Sequence, residues 1–433
     1  MSSIYCEGFK ITPYWWEAAA PTIEGSMPLP DEIDVAIVGA GYAGLSAALE
    51  LARNGTKVAV IEKDELGACA STRNGGAVSS GISIGRGLSG SRNQADGFMR
   101  GAGESFDHID SVIAREDIDC YWEKRGRFVG AYTKRQYESL AALADTLNRV
   151  GDAGARQVPQ HEQRQEIASD FYRGGLAIER SGKLHPALYH RGLLDAARRA
   201  GATVTAQTRV ESVVRNGNQF LITTSAGVVR AREVAFCTNG ATDKAMPALR
   251  RRIIPVASHI IATEPLDPSL AESLFPNKRT ISETKRVLCY YRLSPDGTRL
   301  IFGGRARFTA SGALTTAPIL HGFMTERLPQ LANVKITHVW TGNVAFTFDF
   351  VPHMGMIEGM HYAMGCNGSG VAMMSYLGNA IARKILSGGN RVCPFDTESF
   401  PTRPGYFGVP WFLPIIGAYY KTRDRLDRYR DQS

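Results

Sequence analysis

The chain lacks a paired-cysteine signature: its seven cysteines are scattered from Cys6 to Cys393 without a C-x-x-C pair. That spacing offers neither a disulfide framework nor a metal centre, so no metal and reduced cytosolic thiols are expected. Long hydrophobic runs are also missing. The most apolar stretch near the C-terminal end, Trp411 to Tyr420, is interrupted by Pro414 and is too short to span a bilayer. Met1 to Trp16 is polar and aromatic without a basic start and apolar core, so no secretory leader is expected. Excess charge of one sign is modest, at +8 over 433 residues, and the longest basic run is Arg250-Arg251-Arg252. Nucleic-acid binding has no further support, and a solvated face accounts for those arginines. No internal repeat or low-complexity segment appears. The rest is ordinary globular composition, 44% hydrophobic and 21% charged, in a chain long enough for two domains.

Against that plain background one segment is specific. Ile33 to Val38 is a short β-branched apolar run, as a buried parallel strand requires. It leads into Gly39-Ala40-Gly41-Tyr42-Ala43-Gly44, the pattern G-x-G-x-x-G. A helical stretch comes next, with Leu45, Ala48, Leu49 and Ala52 at three- and four-residue spacing, and stops at Asn54-Gly55. A second strand, Lys57 to Ile61, ends at Glu62-Lys63. Gly39 permits the tight turn, Gly41 admits a pyrophosphate, and Gly44 allows close helix–strand packing. The helix N-terminus supplies free N–H groups to phosphates. Glu62 can accept from ribose hydroxyls and repels a 2′-phosphate, which disfavours NADP.

The segment after the acid favours FAD over NAD. Gly67 to Gly76 is rich in small residues, which let backbone pack against a large flat ligand, and Ser71 can reach a phosphate. A second complete glycine fingerprint, as a separate pyridine-nucleotide domain would need, is absent. One dinucleotide is implied.

These residues give the chain its resemblance to the D-amino-acid-oxidase-like superfamily of FAD-dependent oxidoreductases, closest to the branch containing γ-glutamylputrescine oxidase. Tyr14-Trp15-Trp16 resembles that branch's aromatic lead, and Ser71-Thr72-Arg73-Asn74-Gly75-Gly76 its S-x-R-N-G-G loop. Gly182 to Pro186 resembles a G-x-L-H-P turn. Ile254-Pro255-Val256, Ala262 to Leu266 and Gly303-Gly304-Arg305 are similar to strands of the substrate domain. Trp340-Thr341-Gly342 through Phe348-Asp349 to Gly355 resembles the approach to the flavin. Gly365-Cys366-Asn367-Gly368-Ser369-Gly370 resembles the C-terminal G-x-N-G-x-G, which with Val371 opens a helix whose N–H groups can face the flavin pyrimidine. Cys237-Thr238-Asn239-Gly240 occupies a loop against the adenosine half, and Val210 resembles the backbone contact to adenine.

The resemblance implies an α/β architecture, with a Rossmann-like FAD domain and an interleaved α+β substrate domain on an antiparallel sheet. The FAD domain would draw on residues 1–80, 181–240 and 340–400, the substrate domain on 81–180 and 241–339, and 401–433 would form a tail. Between Thr203 and Phe236 short strands alternate with turns at Asn216-Gly217 and Ser225-Ala226-Gly227. The implied reaction is hydride transfer from a carbon next to nitrogen to flavin N5, giving an imine that water hydrolyses. Arg73, His259, Trp340 and Phe348 are the implied site residues. A hydrogen-bonded structural role for His259 stands beside the pocket role.

Three departures shape the expectation. Many family members attach FAD through a cysteine after the W-x-G segment, but Val344-Ala345-Phe346 has no sulfur, so noncovalent FAD is expected. Sarcosine-type members hold the substrate carboxylate with a lysine where Ala372 stands, which favours a longer amine. The branch usually has tyrosine at His259. A γ-glutamylputrescine-like substrate leads. The alternatives are a membrane-linked dehydrogenase of a secondary amine or cyclic imino acid, and a non-catalytic flavin-binding subunit. Oxygen or a quinone would accept the electrons. Trp411 to Ile416, with Lys421, Arg423, Arg425, Arg428 and Arg430 beyond it, either docks on its own domain or rests on an anionic membrane surface.

Overall fold

The computed structural model describes residues 3–80, 92–309, 311–390 and 392–432. Its nucleotide-type sheet grows from the predicted strand. Glu32–Val38 pairs in parallel with Val58–Ile61 on one side and with Gly227–Phe236 on the other, and Val58–Ile61 continues to Thr203–Thr205. The antiparallel meander Val210–Asn216, Gln219–Thr224 and Gly227–Phe236 forms one edge, as its turn residues predict. Met360–Met364 adds in parallel to Phe236 and its neighbour, and His353–Ile357 pairs beside it.

Two helices close this sheet over the glycine turn. Tyr42–Arg53 begins at Gly41 and ends at Asn54, with Gly55 in the left-handed region. A Cβ on Gly44 would overlap the carbonyl oxygen of Gly39, so the third glycine is fixed by helix–strand contact. A Cβ on Gly378, in helix Gly370–Leu386, would overlap the carbonyl of Ala43, so the two helices touch backbone to backbone.

The second sheet has nine strands, mostly antiparallel, in the spatial order Tyr5–Lys10, Ile336–Phe346, Ile254–Thr263, Leu300–Gly304, Cys289–Leu293, Thr280–Glu283, Arg127–Gly130, Gly175–Ile178, Ala155–Val158. Two placements depart from the grouping read in the sequence. Tyr5–Lys10 pairs with the strand from Ile336, and residues 340–346 also belong to this larger sheet. The boundary expected at Gly81 lies outside the described residues. Arg327, fully buried behind this sheet, forms an ion pair with buried Glu283 through Nε at 2.8 Å and Nη2 at 2.9 Å.

The tail forms one helix, Leu413–Gln432, that docks on the larger sheet through its acids and one arginine. Asp424 is buried and accepts from the Val287 N–H at 2.9 Å and from Arg286 Nη1 at 3.1 Å. Asp431 pairs with Arg173, and Arg428 donates to the carbonyl of Tyr132. Among the described residues no helix is long and apolar enough to cross a membrane.

Candidate active site

A cavity of about 580 Å³ lies between the two sheets, within the usual size for a ligand pocket. Its nucleotide end is built by Gly39, Gly41, Tyr42 and Ala43 at the start of helix Tyr42–Arg53, with Glu62 and Lys63 at the end of the neighbouring strand. Glu62 is buried; its Oε2 accepts from the Ala40 N–H at 2.8 Å and its Oε1 from the Asp64 N–H at 3.2 Å. Burial outweighs those donors and raises its pKa. Val210, Thr238, Asn239 and Gly240 complete this end. Nearby, burial pushes the Cys69 thiol up to about 12, and its Sγ donates to Asp64 at 3.5 Å. Such a thiol is a hydrogen-bond donor, and an ion-binding thiolate is disfavoured.

The loop after this end is tied from three sides. Ser71 Oγ accepts from the Tyr42 N–H at 3.2 Å, and Asn74 donates to the Ser71 carbonyl at 2.8 Å while accepting from the Gly76 N–H. The aromatic lead clamps it: Trp15 donates to the Asn74 carbonyl at 2.8 Å, and Trp16 to Thr72 Oγ1 at 2.9 Å. From the other sheet, Trp340 donates to the Arg73 carbonyl at 2.8 Å. Arg73 itself donates through Nε to the Ala68 carbonyl and through Nη1 to the Thr341 carbonyl, with its guanidinium 4.5 Å over Trp16. Burial lowers its pKa. Ser71, Arg73, Asn74 and Gly75 line the cavity, and so does Gly342 beyond Arg73. Thr72 and Gly76 stand behind the wall, with Thr72 hydrogen-bonded to Trp16 and Gly76 packed under the Leu184 carbonyl.

At the other end Gly368, Gly370 and Val371 line the cavity at the mouth of helix Gly370–Leu386. Their partners in the motif serve the backbone. Asn367 accepts from the Thr347 N–H at 3.0 Å, Gly365 donates to Asn239 at 3.0 Å, and Ser369 is the residue before the helix. Gly44 likewise stands behind the wall, pressed against the Gly39 carbonyl.

Three expected catalytic residues are elsewhere. Ser258 and Ile260 line the cavity, so His259, between them on one strand, points to the opposite face. There it is fully buried, with Nδ1 at 2.8 Å from Thr341 Oγ1, and burial lowers its pKa. Trp340 is covered by the Arg73 loop and packs edge-on against Trp15 at 6.3 Å, so it positions the wall without lining it. Phe348 and Asp349 lie past the turn that ends the strand. Phe348 packs on Tyr406, and Asp349 accepts from His353 Nε2.

The larger sheet contributes wall residues that no motif announced. Tyr290 is held between two glycines: a Cβ on Gly75 would stand 2.8 Å from its ring, and one on Gly303 would overlap it. Its hydroxyl lies 3.0 Å from Ser258 Oγ, and burial pushes it up to about 12. Thr280, Ser282 and Arg127 extend this face, joined by Arg305 from the Gly303-Gly304-Arg305 segment that the sequence did mark. The available signal was polar alternation along Thr280–Glu283 and Cys289–Leu293, which becomes informative once the register is known.

The residues present fit FAD. Two helix N-termini open onto one cavity, and buried Glu62 stands at the end of the strand beside the first of them, where the ribose of a dinucleotide would lie. A family model described as FAD dependent oxidoreductase (DAO) matches residues 34–384. The chain is 33% identical to a probable oxidoreductase OrdL of Haemophilus influenzae, covering 92% of this chain and 93% of that one. It is 31% identical to gamma-glutamylputrescine oxidoreductase of Escherichia coli, over 91% and 93%. In fold it is similar to a glycine oxidase from Geobacillus kaustophilus, with TM-score 0.74 at 19% identity, covering 86% of this chain and 100% of that one.

Proposed function

Since the chain belongs to the DAO family of FAD-dependent oxidoreductases, which act on C–N bonds of amines and amino acids, we propose that it oxidises an extended amine of the γ-glutamylputrescine kind. The observation that carries this reading is the mouth of helix Gly370–Leu386. Residues 368–374 contain no cation, and Ala372, where an amino-acid oxidase of the sarcosine type would anchor a carboxylate, is buried. A small α-amino acid finds no charge partner there, whereas a long amine has room along the wall of the larger sheet. The likeness to the Escherichia coli enzyme supports the same choice.

In this reading the eight-stranded sheet is the nucleotide side and the nine-stranded sheet the substrate side. Bound FAD supplies a two-electron acceptor for the hydride on the carbon next to nitrogen. The chain supplies position and dryness. Gly39 and Gly41 would admit the pyrophosphate, Glu62 would hold the ribose, and Gly368, Gly370 and Val371 would present N–H groups to the ring. Arg73 is fixed by two carbonyls beside the ring site. Tyr290, neutral at physiological pH, closes the wall without offering a charge. FAD is held noncovalently in this reading, because residues 344–346 carry no sulfur. Initial rates with γ-glutamylputrescine, putrescine, sarcosine and glycine test the substrate reading, which fails if a small amino acid is turned over fastest.

A second reading concerns the tail, and one observation favours it. Trp411, Ile415, Tyr419 and Tyr429 are exposed, at 66%, 65%, 53% and 73%, alongside exposed Lys421, Arg423, Arg425 and Arg430. The acids of the same helix turn inward to Arg286 and Arg173. An apolar face with outward cations suits an anionic lipid surface. Membrane contact would place the enzyme near a quinone acceptor.

A further inference from the structure

We propose that Arg127, with Thr280 beside it, is the subsite for a carboxylate at the far end of the amine substrate. The proposal deepens the extended-amine reading and rests on it.

Arg279 pairs with Glu166 and Glu179, and Arg327 with Glu283. Arg292 has no ion pair and its Nε is unpartnered, but it stands behind the cavity wall and its two terminal nitrogens donate to the carbonyls of Gly76 and Leu184. Arg127 is different. It lines the cavity, its Nε is buried without a hydrogen-bond partner, and among the described residues it has no ion pair. Residues 81–91 contain no acid that could serve it. Burial without an anion brings its pKa down to about 10, a cost that a bound carboxylate would remove. Buried polar groups are almost always satisfied, so an orphan donor on a cavity wall points to a ligand acceptor.

Thr280 repeats the pattern. It pairs with Arg127 in the parallel ladder, lines the same cavity, and its Oγ1 is also buried and unpartnered. A guanidinium beside a hydroxyl matches the acceptor geometry of a carboxylate.

Position selects the substrate class. Tyr290 touches Gly75 in the loop of Arg73, and its strand is separated from the Arg127 strand by Thr280–Glu283 alone. Tyr290 lies opposite Ser282 and Arg127 opposite Thr280, so two strand spacings and a two-residue offset place their backbones about 12 Å apart. An α-amino acid carries nitrogen and carboxylate on one carbon and cannot serve both places. A γ-glutamylated diamine separates its free amine from its carboxylate by the diamine chain, an amide and the glutamyl arm.

The test compares the holoenzyme with Arg127→Met and Arg127→Lys on two amines, γ-glutamylputrescine and N-butyrylputrescine, which keeps the chain but lacks the carboxylate and its neighbouring α-amine. Glutarate, read by its perturbation of flavin absorption, reports the subsite without turnover. In Arg127→Met, KM for γ-glutamylputrescine should rise about a hundredfold, the loss expected when one partner of a buried charge pair is removed. The loss should fall on KM more than on kcat, KM for N-butyrylputrescine should shift far less than that for γ-glutamylputrescine, glutarate should bind correspondingly more weakly, and Arg127→Lys should recover part of each loss. Equal effects on both amines, or glutarate binding indifferent to the substitution, would overturn the proposal. If the wild type oxidises neither amine yet binds glutarate through Arg127, the substrate reading fails and the carboxylate subsite stands.

Discussion

Trp340 donates its indole N–H to the backbone carbonyl of Arg73 at 2.8 Å, and this bond ties the strand of one sheet to the nucleotide loop of the other. A backbone carbonyl left buried without a donor costs about 1–3 kcal/mol. Trp340→Phe should therefore lower thermal stability by that amount and loosen the cofactor. Calorimetry and flavin content after gel filtration measure both. Unchanged flavin retention would show that the bond does not hold the loop.

Gly44 is replaceable by no other residue without moving the helix, because its Cβ would overlap the Gly39 carbonyl. Gly44→Ala should cost about 1–3 kcal/mol, as overpacking does, and yield folded protein with little bound flavin. Visible absorbance per mole of protein reads this directly.

Glu62 gives a pH prediction. Burial raises its folded pKa above the ordinary 4.5, so the folded state binds the proton more readily than the unfolded state. Its stabilising contribution is full below the unfolded value and is lost as pH rises through the folded one. In apoprotein, the stability of Glu62→Gln relative to wild type should therefore rise as pH goes up through the folded value, on top of a constant cost for trading one acceptor oxygen for an amide. The same variant should bind FAD more weakly. A stability difference between the two proteins that does not change with pH would contradict the raised pKa.

How much of the molecule was legible in the sequence depends on how local each constraint is. The strand, glycines, helix and Glu62 fall within thirty-odd residues, and Gly39, at positive φ, performs a backbone task that few residues can replace. The C-terminal glycine turn was legible for the same reason. The substrate wall was not. Arg127, Thr280 and Tyr290 meet through pairings between distant segments, and their roles depend on register. His259 shows the limit most clearly. One step of strand alternation separates a wall residue from a core residue, and sequence without register cannot tell Ser258 and Ile260 from their neighbour. Phe348 and Asp349 were misplaced because the chain turns after Phe346, with Phe350 at positive φ, and carries them away from the cavity.

The tail predicts a surface effect. Trp411 and Ile415 are exposed, so the double substitution Trp411→Asp, Ile415→Asp should leave the fold within about 0.5 kcal/mol. Wild type should float with phosphatidylserine-containing vesicles and the variant should stay behind. Equal recovery of both in the lipid-free fraction would remove the membrane reading and leave a helix docked through Asp424 and Arg428.

FAD held in the cavity between the two sheets should oxidise an amine C–N bond. Anaerobic titration of the purified yellow protein with γ-glutamylputrescine, other amines and amino acids tests it most directly. The flavin band near ~450 nm should bleach with an extended amine and return when an electron acceptor is admitted. A protein that is colourless and cannot be reconstituted with FAD would contradict it.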